Sequence, residues 1–160
     1  MDVELSASEA LSIAEKIERN GARFYRRAAG RVDDAELSTL LVNLAQWESR
    51  HVEAFRAMRE RLGDRGRDAE LTGLERANPG MMASLAPFSL QSDPADELGA
   101  RPRRADVLRL AIDKERDSVI YYLGLKDFVK AEEDKEVIDE IIAEEKKHVR
   151  ILMQSLERDR

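Results

Sequence analysis

The sequence predicts an all-α protein: a four-helix bundle built from two repeated helical hairpins that a long crossover joins. Three observations lead to this prediction. Apolar residues recur at helical spacing over four long segments. All four prolines lie within residues 63–103, between the second and third of these segments. The same spacing of glutamate and histidine occurs once in each half. At 160 residues, the chain is expected to form one domain over residues 1–160.

The first helix is expected at about residues 8–29, because Ser6-Ala7-Ser8-Glu9 has the spacing of a capping box and Gly30 can end the helix. A short turn leads to the second helix at about 34–62, so the two helices should be antiparallel neighbours. Residues 63–103 are the expected crossover, with an apolar segment at 81–90 packed over the bundle. The remaining helices are expected at about 104–130 and 134–158, with the crossover allowing the second and third to run parallel.

Charge and composition exclude several classes of protein. The net charge is −6 and the two signs are interspersed along the helices, which argues against a nucleic-acid or anionic-membrane partner. There is no cysteine, and therefore no disulfide, thiol nucleophile or thiolate metal site. No apolar run approaches the roughly 20 residues of a membrane span, and the N-terminus lacks a signal-peptide pattern. A cytoplasmic location is therefore expected.

The two halves repeat when one is shifted by 97 residues. The shift aligns three chemically notable pairs: Glu18 with Glu115, Glu48 with Glu145, and His51 with His148. Each hairpin thus has a glutamate on its first helix and a Glu-x-x-His motif on its second. Both histidines of the chain belong to this pattern, and all six residues lie on apolar helix faces.

Four carboxylates and two imidazoles on buried faces are costly unless an ion compensates their charge. Four negative charges balance two divalent cations, with neutral histidines as nitrogen ligands. The mixed oxygen and nitrogen set suits iron or manganese, with zinc as a further possibility, better than calcium or magnesium. A single Glu-x-x-His motif would be a weak signal. Its repetition in register, on apolar faces, favours a metal site over surface coincidence.

The segments E-R-N-G-A-R-F-Y at 18–25 and E-R-D-S-V-I-Y-Y at 115–122, with the two Glu-x-x-His motifs, resemble the ferritin-like diiron carboxylate proteins. The likeness is greatest to single-domain rubrerythrins and covers the four helices but not the crossover. It implies two iron ions, with Glu48 and Glu145 bridging them. The remaining ligands would be Glu18 and His51 on one metal, and Glu115 and His148 on the other. The implied activity is reduction of peroxide or O₂.

The sequence departs from rubrerythrins at two points. The rubredoxin-like iron site with four cysteines is missing, so electrons must come from another protein. An extra glutamate that rubrerythrins commonly carry on the third helix is replaced by Ile112. Under the shift of 97, Ile112 corresponds to Glu15, which we predict as a seventh carboxylate ligand. The alternative for Glu15 is a solvated residue that pairs with Arg19 one turn on.

Two other functions remain open at this point: a ferroxidase or iron-handling protein, and a metal-stabilised structural bundle without turnover. A homodimer is expected, because small bundles of this kind usually bury an outer helix face. Tyr25 and Tyr122 could hydrogen-bond the ligand carboxylates or be ordinary core tyrosines. Glu144 could orient a ligand histidine, although solvent exposure is the favoured interpretation, and Trp47 is predicted to lie in the core.

Overall fold

A computed structural model describes residues 6–62 and 94–158, and in these ranges it contains four long helices and no strand. The helices are α1 (Ala7–Ala29), α2 (Ala35–Arg61), α3 (Arg104–Leu125) and α4 (Glu132–Glu157). Two short 3-10 helices, Pro94–Leu98 and Lys126–Phe128, precede and follow α3. The predicted four-helix bundle is thereby confirmed. The segment expected at 81–90 lies outside the described residues.

Side-chain caps fix the starts of the first two helices. Ser6 and Glu9 form the expected capping box, in which the Ser6 hydroxyl accepts from the Glu9 N–H (3.2 Å) and the Ser6 N–H donates to Glu9 Oε2 (2.7 Å). At α2 the carboxylate of Asp34 accepts from the Leu37 N–H at 3.1 Å. That backbone hydrogen bond, together with the nearby Arg104, lowers the pKa of Asp34. Each cap satisfies an amide that the helix itself leaves unpaired.

Helix α3 ends at Leu125, five residues before the predicted end at about 130. The chain tightens into the 3-10 helix Lys126–Phe128 and then becomes extended at Val129, with φ −103° and ψ 130°. This change of direction carries Val129 into the core, where its side chain is only 3% exposed. Burial of that β-branched residue in an extended conformation favours an early end, because a continued helix would point it elsewhere.

Ion pairs between the hairpins establish the helix directions. Arg104, at the start of α3, pairs with Asp34, which caps the start of α2 (2.5 Å). Arg61, at the end of α2, pairs with Asp134 in the first turn of α4 (2.5 Å). Helices α2 and α3 therefore begin at the same end of the bundle and run parallel, as the long crossover predicts.

One apolar core runs along the bundle and is filled from all four helices. Its members are fully or nearly fully buried and include Leu11, Ile17, Phe24, Leu41, Leu44, Phe55, Met58, Leu108, Ile138 and Leu152. Burying each large apolar side chain stabilises the fold by about 1.5–3 kcal/mol. Within the described ranges, no helix combines the length and apolar character that a membrane crossing requires.

Candidate metal centre

Six acidic and histidine side chains from the four helices meet in the middle of the bundle. They form two overlapping groups, within each of which the candidate ligand atoms lie no more than 4.8 Å apart. The first group is Glu18, Glu48, His51 and Glu145; the second is Glu48, Glu115, Glu145 and His148. Glu48 and Glu145 belong to both groups. All six residues proposed from the sequence are thus brought together.

The six side chains are almost completely shielded from solvent, with no residue more than 3% exposed. Seven of their polar atoms are nevertheless buried without a hydrogen-bonding partner: Glu18 Oε2, Glu48 Oε1, His51 Nδ1, Glu115 Oε2, both carboxylate oxygens of Glu145, and His148 Nδ1. Native proteins rarely leave buried polar atoms unsatisfied. Seven of them converging on one place, all of them oxygen or imidazole nitrogen, fit a pair of coordinated cations.

Both imidazoles direct Nδ1 at the carboxylates. Nδ1 of His51 lies 2.7 Å from Oε1 of Glu145 and 3.4 Å from Oε2 of Glu18. Nδ1 of His148 lies 3.5 Å from Oε2 of Glu145 and 3.6 Å from Oε1 of Glu48. These contacts are close enough for ion pairing, but they lack the geometry of hydrogen bonds. Such an arrangement is what ligands of a shared ion require.

Two tyrosines hydrogen-bond the two outer carboxylates, Glu18 and Glu115, which each belong to only one group. Each tyrosine reaches the glutamate on the first helix of the other hairpin. The Tyr25 hydroxyl, on α1, donates to Glu115 on α3, and the Tyr122 hydroxyl, on α3, donates to Glu18 on α1. Burial, reinforced by the neighbouring carboxylates, raises the pKa of both phenols well above its ordinary value, so both remain hydrogen-bond donors. Of the two interpretations that the sequence allows, the hydrogen-bonding one is therefore confirmed.

Burial and mutual repulsion make the carboxylates hard to ionise together. Burial, followed by the charges of Glu18 and Glu145, raises the pKa of Glu48. Burial and the charge of Glu145 raise the pKa of Glu115 to about 8. Burial alone would favour neutral imidazoles, but the carboxylates outweigh it and raise the pKa of His51 to about 12 and that of His148 to about 9. Protons and metal cations therefore compete for the same atoms.

Two contacts to the histidines go beyond the interpretation that the sequence favoured. Glu144 is 56% exposed, as the favoured interpretation expects, but its Oε2 also accepts from Nε2 of His51 at 2.6 Å, which is the contact that the orienting interpretation requires. Trp47 is half-buried at the edge of the core and stacks on His148, with ring centroids 4.8 Å apart and an interplanar angle of 12°. The internal repeat could have indicated both contacts, because the shift of 97 makes positions 47 and 144 equivalent. A contact to a histidine at one of them therefore suggests a contact at the other.

Glu15, predicted as a seventh ligand, belongs to neither group of converging residues. Its side chain is only 3% exposed, and arginines neutralise its charge: Arg59 Nε at 2.9 Å, Arg19 at 3.3 Å and Arg56 Nε at 3.5 Å. The pairing with Arg19 is the alternative that the sequence offered, although Glu15 is buried rather than solvated. A ligand role for Glu15 stays a prediction.

We expect Tyr25→Phe and Tyr122→Phe each to weaken metal binding about 10-fold or more, because each removes the hydroxyl that orients an outer carboxylate. Tyr121→Phe is the matched control, since the Tyr121 hydroxyl donates to the backbone carbonyl of Ala10 (2.9 Å) rather than to a carboxylate. Competitive titration with a chromophoric chelator measures the affinities. Equal losses in all three variants would contradict an orienting role for the two tyrosines.

The comparison with solved structures yields a crystal structure of a protein from Thermotoga maritima whose assignment as a ferritin-like diiron-carboxylate protein is provisional. The two chains are 24% identical, with a TM-score of 0.74 over 98% of this chain and 97% of the other. No protein-family model and no curated protein matches the chain. Together with the four helices described above, the likeness shows that this chain has a ferritin-like helical-bundle fold.

Proposed function

We propose that the protein is a diiron oxidoreductase, similar to rubrerythrins, that reduces hydrogen peroxide or O₂. The observation that carries the proposal is the set of seven buried oxygen and nitrogen atoms that lack hydrogen-bonding partners and converge from all four helices. The description of the Thermotoga maritima neighbour as a diiron-carboxylate protein supports it independently. The mixed ligand set favours iron or manganese over harder cations.

In this proposal Glu48 and Glu145 would be ligands of both ions, because they are the members shared by both groups. Glu18 and His51 would complete the ligands of one ion, and Glu115 and His148 would complete those of the other. A pair of iron ions would supply two electrons at a time. Reduction of one hydrogen peroxide molecule to two water molecules consumes two electrons and two protons.

The residues around the site suit such chemistry because they exclude bulk water and fix the orientation of the ligand carboxylates. Ligands that are at most 3% exposed exclude bulk water from the reacting region. The protonated hydroxyls of Tyr25 and Tyr122 fix the outer carboxylates. Their reciprocal arrangement ties each hairpin to the ligand of the other, so the two halves of the site hold their relative positions.

The proposal also includes two partners. An external electron-donor protein must supply reducing equivalents, because this sequence contains no cysteine for a rubredoxin-like iron site. A second copy of the chain is the other partner. The exposed apolar side chains of Ile120 (69% exposed) and Leu123 (52%), one turn apart on α3, support burial of an outer helix face in a homodimer.

Stopped-flow oxidation of the anaerobically prepared diferrous protein tests the activity. We expect hydrogen peroxide to oxidise the iron far faster than O₂ does and the oxidised iron to stay bound. Absorbance follows the oxidation, and gel filtration with metal analysis follows retention. Release of iron after oxidation would instead favour an iron-handling function. Inertness toward both oxidants would favour a metal-stabilised structural bundle.

A further inference from the structure

The repeat places two unlike residues at matching positions beside the two histidines. Position 47 on α2 and position 144 on α4 differ by 97 residues, and each immediately precedes a bridging glutamate. Each side chain crosses to the histidine of the other hairpin. Glu144 accepts a hydrogen bond from His51, whereas Trp47 stacks on His148. The immediate surroundings of the two histidines therefore break the symmetry of the six ligands.

We propose that the two metal positions are inequivalent, and that the position served by His51 binds its ion first and more tightly. Glu144 is the positioning residue responsible for the difference. Trp47 occupies the matching position beside His148 and offers no hydrogen-bond acceptor there. The inference rests on the proposed dinuclear site. It goes beyond that site by assigning an order of loading and the residues that set it.

The contact with Glu144 strengthens His51 as a ligand in two ways. An ionised carboxylate accepts hydrogen bonds and cannot donate them, so the bond to Glu144 keeps a proton on Nε2 of His51. When a metal ion displaces the proton on Nδ1, the lone pair of that atom faces the other ligands. The bond to Glu144 also makes the imidazole more basic, a role for which the loss of a supporting partner typically costs 10–100-fold in metal affinity. The carboxylate also places a negative charge in direct contact with His51, whereas it makes no hydrogen bond to His148.

His148 lacks an equivalent partner in the described ranges 6–62 and 94–158, where no residue accepts a hydrogen bond from its Nε2. The indole of Trp47 lies nearly parallel to the imidazole and contacts its face. Stacking limits ring tilt, but it provides neither an acceptor for Nε2–H nor a charge. The ion bound by His148 therefore gains less from its surroundings.

The arginines near Glu18 do not reverse this difference. Arg19, Arg56 and Arg59 surround Glu15 one turn before Glu18, and their positive charge would disfavour a cation there. Glu15 pairs with all three arginines, however, and Glu53 also pairs with Arg56 (3.2 Å). Two carboxylates thus offset two of the three positive charges, and the Arg19 side chain is 54% exposed, so solvent screens the charge that remains.

Calorimetric titration of the chelator-treated full chain with cobalt(II) chloride tests the proposal. The parent protein is expected to bind two ions in two steps of different affinity. We expect Glu144→Gln to weaken the tighter step about 10–100-fold and to leave the weaker step nearly unchanged. Glu140→Gln, which makes the same charge change at an exposed position one turn earlier on α4, should alter neither step.

Equivalent positions would give a different result. Repulsion between the two ions could still produce two binding steps in the parent. In the Glu144→Gln variant, however, the first ion would occupy the position that the substitution leaves intact, so the affinity of the tighter step would stay unchanged and that of the weaker step would fall. This result would overturn the inference while the dinuclear site stands. Absence of any cobalt binding by the parent would contradict the proposed function and the inference with it.

A second variant tests the same inference from the other hairpin. Trp47→Glu places a carboxylate at the position that matches Glu144, and it should strengthen the weaker step and narrow the gap between the two affinities. Circular dichroism of the chelator-treated variants checks that the helices persist. An unchanged weaker step in a folded Trp47→Glu protein would contradict the inference.

Discussion

The double variant Glu48→Ala, Glu145→Ala should bind less than half an equivalent of iron, manganese or zinc per chain, where the reconstituted parent binds two. These two carboxylates are the members common to both groups of converging ligands, so their removal takes ligands from both ions at once. One outer glutamate and one histidine per position would remain, too few to hold a divalent transition metal against water and buffer. Metal analysis after reconstitution and desalting measures the stoichiometry.

The matched control is Glu53→Ala with Glu140→Ala, which removes one carboxylate from each of the same two helices at exposed positions. It should retain both ions. The chelated double variant should also stay folded, because removing two buried carboxylates relieves repulsion within the site. Retention of two equivalents by the Glu48 and Glu145 variant would contradict the proposed centre, as would failure of the parent to bind metal.

The six converging residues could be predicted because helical periodicity and the internal repeat act together. Periodicity alone places Glu18 or Glu145 on an apolar face. The shift of 97 then requires that each such residue have a partner in the other hairpin, and two related hairpins bring partners to one place. The capping box at Ser6 was predictable for a different reason, because the residues that form it lie within a few positions of each other in the sequence.

Contacts between hairpins were less accessible to sequence reasoning. The sequence allowed two interpretations for Tyr25, and only the approach of α1 and α3 establishes that its hydroxyl reaches Glu115. The sequence places Glu144 on the exposed face of α4, and nothing local to that helix indicates that the side chain hydrogen-bonds His51 on α2. The end of α3 depends on how Val129 packs, which local propensity does not determine.

Chelator-treated protein should lose stability as the pH rises from about 6 to 9. Glu115 has an ordinary pKa of 4.5 in the unfolded chain and about 8 in the folded protein, and His148 changes from 6.5 to about 9. In both cases the folded state binds the proton more tightly. The stabilisation is therefore complete below the unfolded pKa and disappears as the pH passes through the folded pKa.

The physical reason differs between the two groups, although the sign is the same. Glu115 must lose its proton in a buried site beside the charge of Glu145, and deprotonated His148 no longer offsets the surrounding carboxylates. Each pKa unit corresponds to about 1.4 kcal/mol, so the combined loss should be a few kcal/mol and the melting temperature should fall on the order of 10 °C.

Bound metal should weaken this dependence of stability on pH, because cations replace the protons that the site would otherwise require. Metal affinity then rises with pH, and the melting temperature of the loaded protein should fall much less between pH 6 and 9. Thermal unfolding followed by circular dichroism, with and without excess manganese(II) chloride, measures both curves. Parallel curves would show that the metal does not take the place of these protons, and a chelated protein whose stability is flat or rises over this range would contradict the buried carboxylate cluster as its cause.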